Sequence, residues 1–265
     1  MKQSEMIQCD MIQCDMIRRA NYKHYVAGAV LMTLIASASA QEHPSIKRPV
    51  DLPPPADLTY KIEARKKGIS LSGEAMVNWR VGAGKYSASN TARAQILGKI
   101  LDNRSEGLID VYGLAPLQFR EKRFRKDETI SRFDRAARSI SFNNGKLTYP
   151  LTGGEQDRGS VQWQLAAVAR GAPEKFTPGS EWKFFVAGRR DAEVWTFRVV
   201  NRETLKTGMG AVQAVHLVKS PSPDAKGQQL DLWLAPSLEW YPVKLRFAED
   251  DGEFVEQTLD RIVKK

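Results

Sequence analysis

The stretch LTYKIEAR, residues 58–65, alternates apolar and polar residues along its whole length. The stretches AMVNWRV (75–81) and VKLRF (243–247) follow the same rule. A period of two places one face of a β-strand on a core and the other face in water, which is typical of antiparallel sheets. Turn-forming segments such as NNG (143–145) and DDG (250–252) separate further runs of this kind. We therefore predict a mainly β fold, in which hairpins join about a dozen strands into a single large, strongly curved antiparallel sheet, an open or half β-barrel.

One segment breaks this alternation. Apolar side chains recur at helical spacing within residues 157–169. Asp157 is the expected N-cap, and Gly171 and Pro173 are expected to end the helix. Because Trp163 lies on the far side from the main apolar face, we expect the helix to be covered on more than one side. We predict one amphipathic helix that lies across the concave side of the sheet and closes it.

Residues 1–40 have the three parts of a secretory signal peptide. Basic residues come first, the uncharged apolar run 25–36 follows, and SASA at 37–40 provides the small residues that a signal peptidase reads. The apolar run is shorter than the ~20 residues that a membrane-spanning helix needs. We therefore expect cleavage after Ala40, export to the periplasm and no transmembrane anchor in the mature protein.

The pentapeptide MIQCD occurs at residues 6–10 and again at 11–15. We interpret the repeat as a duplication upstream of the true start, with Met16 as the initiator. Both cysteines lie in these two copies, and none follows the apolar run, where a lipoprotein signal would place one. The mature protein is therefore predicted to be neither a lipoprotein of that type nor a disulfide-bonded protein, and to have no cysteine metal ligand.

Proline is frequent in residues 41–56, which predicts an extended, disordered tether ahead of a sheet domain at 57–265. The whole chain has a net charge of +9 at pH 7. A basic exported protein could contact anionic headgroups or lipopolysaccharide, and solubility alone is an equally good explanation. Nucleic acid is not expected as a partner, because an exported protein rarely meets it.

Catalytic motifs are missing from the sequence. It has no HExxH, no GxSxG and no paired His/Cys spacing. His216 is a single histidine in a predicted strand and is expected to be structural, and the acidic cluster at 249–253 is interpreted as a solvated turn. We predict no metal site, no cofactor and no enzymatic activity. A hydrolase that uses two facing carboxylates is the less favoured alternative.

Four tryptophans are candidate ligand-lining residues. Trp79, Trp182 and Trp195 fall on the apolar faces of predicted strands, and Trp163 falls on the helix. Two interpretations stay open: the indoles fill a core, or some of them line a cavity between the sheet and the helix.

Several strings resemble those of a bacterial envelope family known as domain of unknown function 3108. They are QDRGSV (156–161) with QLA (164–166), AGRRDAEVWTF (187–197), and LWLAP (232–236) with PVKLR (242–246). The resemblance implies an exported protein with a curved sheet, similar to the half-barrels of periplasmic lipoprotein carriers, which hold acyl chains between sheet and helices. It implies no catalytic residue.

Four residues in these strings have predicted structural roles. Asp157 caps the helix, and Arg158 is expected to pair with a carboxylate or with a strand end. Pro236 and Pro242 are expected to bracket a connection between two strands, where a missing N–H removes no ladder hydrogen bond.

The sequence thus predicts a periplasmic, non-enzymatic binding protein that holds an acyl chain or another apolar ligand between sheet and helix. The alternative is a scaffolding or protein-interaction module of the envelope, with a packed interior and a protein partner. An open apolar cavity would favour the first prediction, and a filled core would favour the second.

Overall fold

The computed structural model describes residues 45–219 and 229–265. The predicted signal peptide, the predicted start at Met16 and the first residues of the predicted tether lie outside these ranges. None of the helices in the described ranges is long and apolar enough to cross a membrane.

The described residues form fifteen strands in one sheet and a single α-helix. The elements are β1 (Ala56–Lys66), β2 (Ile69–Gly82), β3 (Lys85–Ala94), β4 (Gly98–Asp110), β5 (Gly113–Arg123), β6 (Thr129–Asp134), β7 (Ser139–Phe142), β8 (Tyr149–Pro150), β9 (Gln156–Asp157), α1 (Val161–Gly171), β10 (Glu181–Ala187), β11 (Ala192–Thr207), β12 (Gly210–Lys219), β13 (Gln229–Ala235), β14 (Tyr241–Ala248) and β15 (Phe254–Lys264).

The strands pair in the order β8-β7-β6-β5-β4-β3-β2-β1-β15-β14-β13-β12-β11-β10-β9. Among the described residues the strand pairings are antiparallel, except for the short parallel pairing of β9 with β10. Consecutive strands are neighbours throughout, except β8 and β9, which lie at opposite ends of the order; β1 also pairs with β15 and so joins the two halves of the sheet. The predicted fold, one large curved antiparallel sheet that does not close into a barrel, is confirmed.

In β1 the structure buries the side chains that the alternation predicts to face the core. Tyr60, Ile62 and Ala64 are buried, whereas Lys61 and Glu63 between them are exposed. The buried side chains share a face with Trp79 of β2, which packs against α1. We call this face of the sheet the concave face and the opposite face the outer face.

The helix begins three residues later than predicted, and the prediction of Asp157 as its N-cap is wrong. Ser160 occupies the N-cap position of α1 and makes no side-chain capping bond. Asp157 instead belongs to β9, and its carboxylate accepts hydrogen bonds from the backbone N–H groups of Gly159 and Ser160. The carboxylate therefore stabilises the turn before the helix, because an aspartate can bond to amides two and three residues ahead.

Burial extends around most of α1. Eight of its residues are buried, including Trp163 and Gln164 on the side away from Leu165. This matches the expected cover on more than one side and makes the helix a core element more than a surface lid.

The described part of the predicted disordered tether packs against the domain, contrary to the prediction. The indole of Trp79 donates to the carbonyl of Pro53 over 2.8 Å, and the hydroxyl of Tyr241 donates to Pro54 over 2.7 Å. The N–H of Asp51 donates to Ala167 in α1. Proline lacks an N–H but keeps its carbonyl, so an extended proline-rich strand can accept bonds from buried side chains.

The sheet is rolled so that its two ends overlap. An apolar cluster joins Phe133 of β6 and Ile140 of β7 to Phe185 and Ala187 of β10. Phe185 lies on the outer face of β10, since its neighbour Phe184 packs in the cluster that contains α1. One end of the sheet therefore lies over the outer face of the other end.

Candidate functional site

The concave face beneath α1 is filled by aromatic side chains. Trp79 and Trp163 stack with ring centroids 4.4 Å apart and planes 5° apart, and Tyr241 meets Trp163 edge-on. Trp79 is 0% exposed and Trp163 is 1% exposed. Stacked rings at this spacing leave no room for a ligand between them.

The other two candidate tryptophans belong to a second apolar cluster. Trp182 stacks on Phe176 with centroids 4.3 Å apart, and Trp195 tilts against Phe197. The structure thus brings Trp79 and Trp163 into contact and places Trp182 and Trp195 with β10, β11 and α1. Their predicted role as ligand-lining residues stays a prediction.

A polar network is buried beside the start of α1. The carboxylate of Asp157 accepts from the hydroxyl of Ser105 over 2.6 Å, and Ser105 in turn contacts the hydroxyl of Tyr86 over 2.9 Å. Burial raises the pKa of Asp157 to about 6, although the hydrogen bonds from Ser105, Ser160 and Gly159 oppose the rise. Burial also raises the pKa of Tyr86. The network anchors the turn before α1 to β3 and β4.

Away from the stacked tryptophans, apolar side chains form a row across the concave face. Strand register places Leu71 of β2 opposite Ala64, Ala64 opposite Val255, Val255 opposite Phe247, and Phe247 opposite Leu230 of β13. All except Ala64 are partly exposed. We call these five residues the rim row. It offers a half-buried apolar surface that crosses five neighbouring strands.

Charged side chains stand at the β12 end of the rim row. Lys219 lies opposite Leu230, and its Nζ is 4.3 Å from the centre of the Trp195 ring. The guanidinium of Arg158 lies 6.0 Å from the same ring. Glu193 accepts a hydrogen bond from the Trp195 indole over 2.8 Å and pairs with Lys219 over 3.2 Å. Arg158 and Lys219 thus lie near the same aromatic ring. The pairing of Arg158 with a carboxylate or a strand end stays a prediction.

His216 has partners that its isolation in the sequence conceals. Its Nε2 lies 2.7 Å from a carboxylate oxygen of Asp231, and its ring stacks on Trp233 with centroids 4.3 Å apart. Glu203 approaches the other ring nitrogen at 3.7 Å and accepts the Trp233 indole N–H over 2.6 Å. Strand pairing is the signal that would have revealed the group, because β11, β12 and β13 bring these residues together.

The two prolines flank the short connection between β13 and β14, with Pro242 as the second residue of β14. Pro236 opens a 3₁₀ turn, Pro236–Leu238, after β13. Pro242 lies inside β14 opposite Leu234, next to a register shift, and its carbonyl accepts the hydroxyl of Tyr60 over 2.7 Å.

In the acidic turn before β15, three carboxylates lie close enough together to share a cation. Oxygen atoms of Glu249, Asp251 and Glu253 lie within 4.8 Å of one another. Glu253 also pairs with Lys66 over 3.0 Å and accepts the N–H of Lys67 over 2.8 Å. These contacts fit an ion-paired turn, and exposed acidic groups of this kind are common in proteins without a metal.

A groove of about 670 Å³ opens at one end of β2–β5. Arg80, Lys85 and Arg104 line it together with Leu108 and Leu117. None of the four candidate tryptophans borders it, and the rim row lies elsewhere.

Comparison with known proteins gives one family match. The model of a family described as "Protein of unknown function (DUF3108)" matches residues 57–260. No curated protein matches the chain.

Solved structures show distant likenesses. A Bacteroides fragilis protein with a YmcC-like fold is 12% identical over 83% of this chain and 100% of its own, with a TM-score of 0.32. A DUF1329 family protein from Desulfovibrio piger is 7% identical over 81% and 87%, with a TM-score of 0.30. A Vibrio parahaemolyticus domain named for outer membrane lipoprotein sorting is 11% identical over 80% and 86%, with a TM-score of 0.25. Likenesses at this level carry no argument about function.

Proposed function

The chain belongs to DUF3108, a family of unknown function, and we propose from the geometry of its concave face that it is a non-enzymatic binding protein of the bacterial periplasm that holds an apolar chain along the rim row. The predicted signal peptide supports the location. The observation that carries the proposal is the register that aligns Leu71, Ala64, Val255, Phe247 and Leu230 on one face.

The shape of this surface suits a linear ligand. Neighbouring strands lie about 4.8 Å apart, so the row from Leu71 to Leu230 extends for roughly 19 Å along the sheet. A buried methylene contributes about 0.8 kcal/mol, so ten methylenes on the row would contribute roughly 8 kcal/mol before the entropy cost of binding. A single acyl chain is long enough to lie along this row and apolar enough to bury its surface against it.

Packing beneath α1 favours the rim row over the tryptophan cluster as the binding surface. A ligand between Trp79 and Trp163 would have to separate rings that already stack at 4.4 Å. The partly exposed side chains of the rim row need no such rearrangement.

The filled aromatic cluster is also the observation that favours the alternative function. If the rim row is covered by a protein and not by a lipid, the domain is a protein-interaction module of the envelope. The two functions differ in what co-purifies with the protein.

The first test is native mass spectrometry of the protein purified without detergent, followed by calorimetric titration with monopalmitoylglycerol, an uncharged single-chain lipid. We expect bound lipid in the purified protein and saturable binding of the probe. Absence of both would overturn the proposal, and crosslinking in the periplasm would then test the protein-interaction module.

Two valine substitutions in β15 locate the surface. Val255 lies on the concave face opposite Phe247, whereas Val263 is 45% exposed and lies opposite Asp57 on the outer face. We expect Val255→Asp to weaken binding of monopalmitoylglycerol at least about tenfold, because a carboxylate placed against the chain must lose its hydration. Val263→Asp is the matched control and should leave binding unchanged. Equal effects of the two substitutions would contradict the rim row as the site.

A further inference from the structure

The rim row ends at a lysine that is enclosed by protein. Lys219 continues the row on β12, directly opposite Leu230, and its side chain is 17% exposed. Its Nζ lies over the face of Trp195 at 4.3 Å, a position in which the ring attracts a cation. A rim row that ends at a shielded cation matches an amphiphile, which has an apolar tail and a charged head.

A second cation approaches the same ring from a different element. Arg158 follows β9 in the turn before α1, and its guanidinium lies 6.0 Å from the Trp195 ring. Burial lowers the pKa of Lys219, and the nearby positive charge of Arg158 lowers it further, whereas Glu193 raises it. An additional negative charge here would therefore favour the protonated lysine, since opposite charges close to a group stabilise its charged form.

Glu193 already places a carboxylate beside this lysine and this ring. Its carboxylate bonds to both Lys219 and the Trp195 indole, yet its side chain remains 44% exposed. An anionic ligand atom could approach Lys219 and Arg158 from the solvent side that Glu193 faces.

We propose that Lys219 and Arg158, grouped around Trp195, bind the anionic head of a single-chain amphiphile whose apolar tail lies on the rim row. This inference rests on the proposed function and adds the chemical class of the ligand. A carboxylate or a phosphate head fits equally, because either accepts charge-assisted hydrogen bonds from an ammonium and a guanidinium. These bonds are stronger in a partly buried site than in water.

The experiment compares three probes with the same palmitoyl tail: palmitate, palmitoyl lysophosphatidic acid and neutral monopalmitoylglycerol. We expect the two anionic probes to bind about tenfold more tightly than the neutral one, or better, at low salt. The ratio of palmitate to lysophosphatidic acid affinity then separates a fatty acid from a phosphate-headed lipid as the source of the head.

Substitutions test the assigned residues. Lys219→Met and Arg158→Gln should each weaken binding of the two anionic probes far more than binding of monopalmitoylglycerol, so that most of the preference for anionic probes is lost. Lys219→Arg should keep the preference, and Glu193→Gln should increase it because an internal competitor is removed. Circular dichroism of each variant identifies any that fails to fold, and the remaining ones decide the result.

Lys244→Met is the matched control. Lys244 also lies over an indole, that of Trp233 at 5.1 Å, and also pairs with a glutamate, Glu256 at 2.8 Å. It lies on the outer face, opposite Trp233 and Thr258. Its removal should change neither the affinity nor the preference.

The outcomes separate the two proposals. Equal binding of all three probes by the unchanged protein would overturn the head site and leave the apolar site standing. A preference that survives both Lys219→Met and Arg158→Gln would overturn the assignment of these residues. Failure of every probe to bind would overturn both proposals.

Discussion

Asp157 has a carboxylate with no exposure to solvent, held by three hydrogen-bond donors. The hydroxyl of Ser105 and the amides of Gly159 and Ser160 all lie within 2.8 Å of it. Burial nevertheless outweighs these bonds and raises its pKa to about 6. The hydroxyl of Tyr86, whose own pKa burial raises, stays neutral in the same network. Folding therefore favours a proton on Asp157, and this should be visible in the pH dependence of stability.

The first prediction concerns Asp157→Asn. In the folded protein the pKa of Asp157 is about 6, so it binds its proton up to about pH 6, whereas the unfolded chain releases it near the ordinary aspartate value of 3.8. The contribution of Asp157 to the free energy of unfolding is thus full below pH 3.8 and falls as the pH rises to 6, by about 3 kcal/mol. Asparagine does not ionise, so the variant lacks this fall. Urea denaturation at intervals from pH 4 to 7 should show the variant gaining stability relative to the unchanged protein.

Asp57→Asn provides the opposite case. Hydrogen bonds from Lys265 first, and also from Asn78 and Arg80, hold the pKa of Asp57 below its ordinary value. Its stabilising contribution is therefore present above pH 3.8 and is lost as the pH falls. Urea denaturation at intervals from about pH 2 to 4 should show the variant losing stability relative to the wild-type protein as the pH rises. A difference for Asp157→Asn that does not vary with pH would contradict the assignment.

At the scale of elements, the side-chain amide of one helical residue joins α1 to the sheet by two hydrogen bonds to backbone groups. Gln164 accepts the N–H of Leu114 over 2.8 Å and donates to the carbonyl of Tyr112 over 2.7 Å. Gly113 between them has φ of +103°, and a Cβ there would lie 2.5 Å from the Gln164 amide oxygen. The glycine is required both by its backbone conformation and by the close approach of the helix.

The second prediction is that Gln164→Leu destabilises the protein by about 2–4 kcal/mol, because it leaves a buried donor and a carbonyl without partners. Gln162→Leu is the matched control on the same helix, since Gln162 is only partly buried. It should change the free energy of unfolding by no more than about 0.5 kcal/mol. Both values come from urea denaturation at neutral pH. Equal effects of the two substitutions would show that the amide bridge contributes nothing.

Elements differ in how far the sequence predicts them. The alternation at 58–65 predicts β1 because burial in a half-exposed strand follows the same period of two. The start of α1 is misplaced because Asp157 can bond to amides in a turn as readily as at a helix N-cap. The packing of tether residues 45–55 against the domain could not be predicted, because the composition reveals the prolines but not the Trp79 indole that donates to Pro53.

The candidate site is less predictable than its strands. Its charge cluster joins Arg158, Trp195 and Lys219, which come from three separate segments of the chain. Register shifts near Tyr60, Asn201 and Leu234 decide which residues of neighbouring strands share a face. A shift of one residue reverses the face of every side chain beyond it, and the sequence alone carries no mark of it. The individual strands are therefore predictable, whereas the rim row that they form is not.

At the scale of the whole domain, the contact between the overlapping ends of the sheet is expected to hold the curved sheet around α1. Ser131 of β6 donates from its hydroxyl to the carbonyl of Gly188 beyond β10 over 2.7 Å. Tyr149 of β8 meets Phe185 of β10 with ring centroids 5.7 Å apart. These contacts join opposite ends of the strand order without a ladder of hydrogen bonds between them. At Tyr149 and Phe185 the two ends contact each other through side-chain packing, in addition to the hydrogen bond from Ser131.

The third prediction is a measurable coupling between these two ends. A double-mutant cycle with Tyr149→Ala and Phe185→Ala should give an interaction energy of about 1 kcal/mol, as expected for an aromatic pair in contact. The matched control replaces Phe184, which points to the concave face and packs in the cluster with α1. Tyr149→Ala with Phe184→Ala should give a coupling within about 0.5 kcal/mol of zero, since the two rings lie on opposite sides of β10. Additive effects for Tyr149 and Phe185 would mean that the sheet ends do not hold each other. The curvature of the sheet would then have to come from strand twist and from α1 alone.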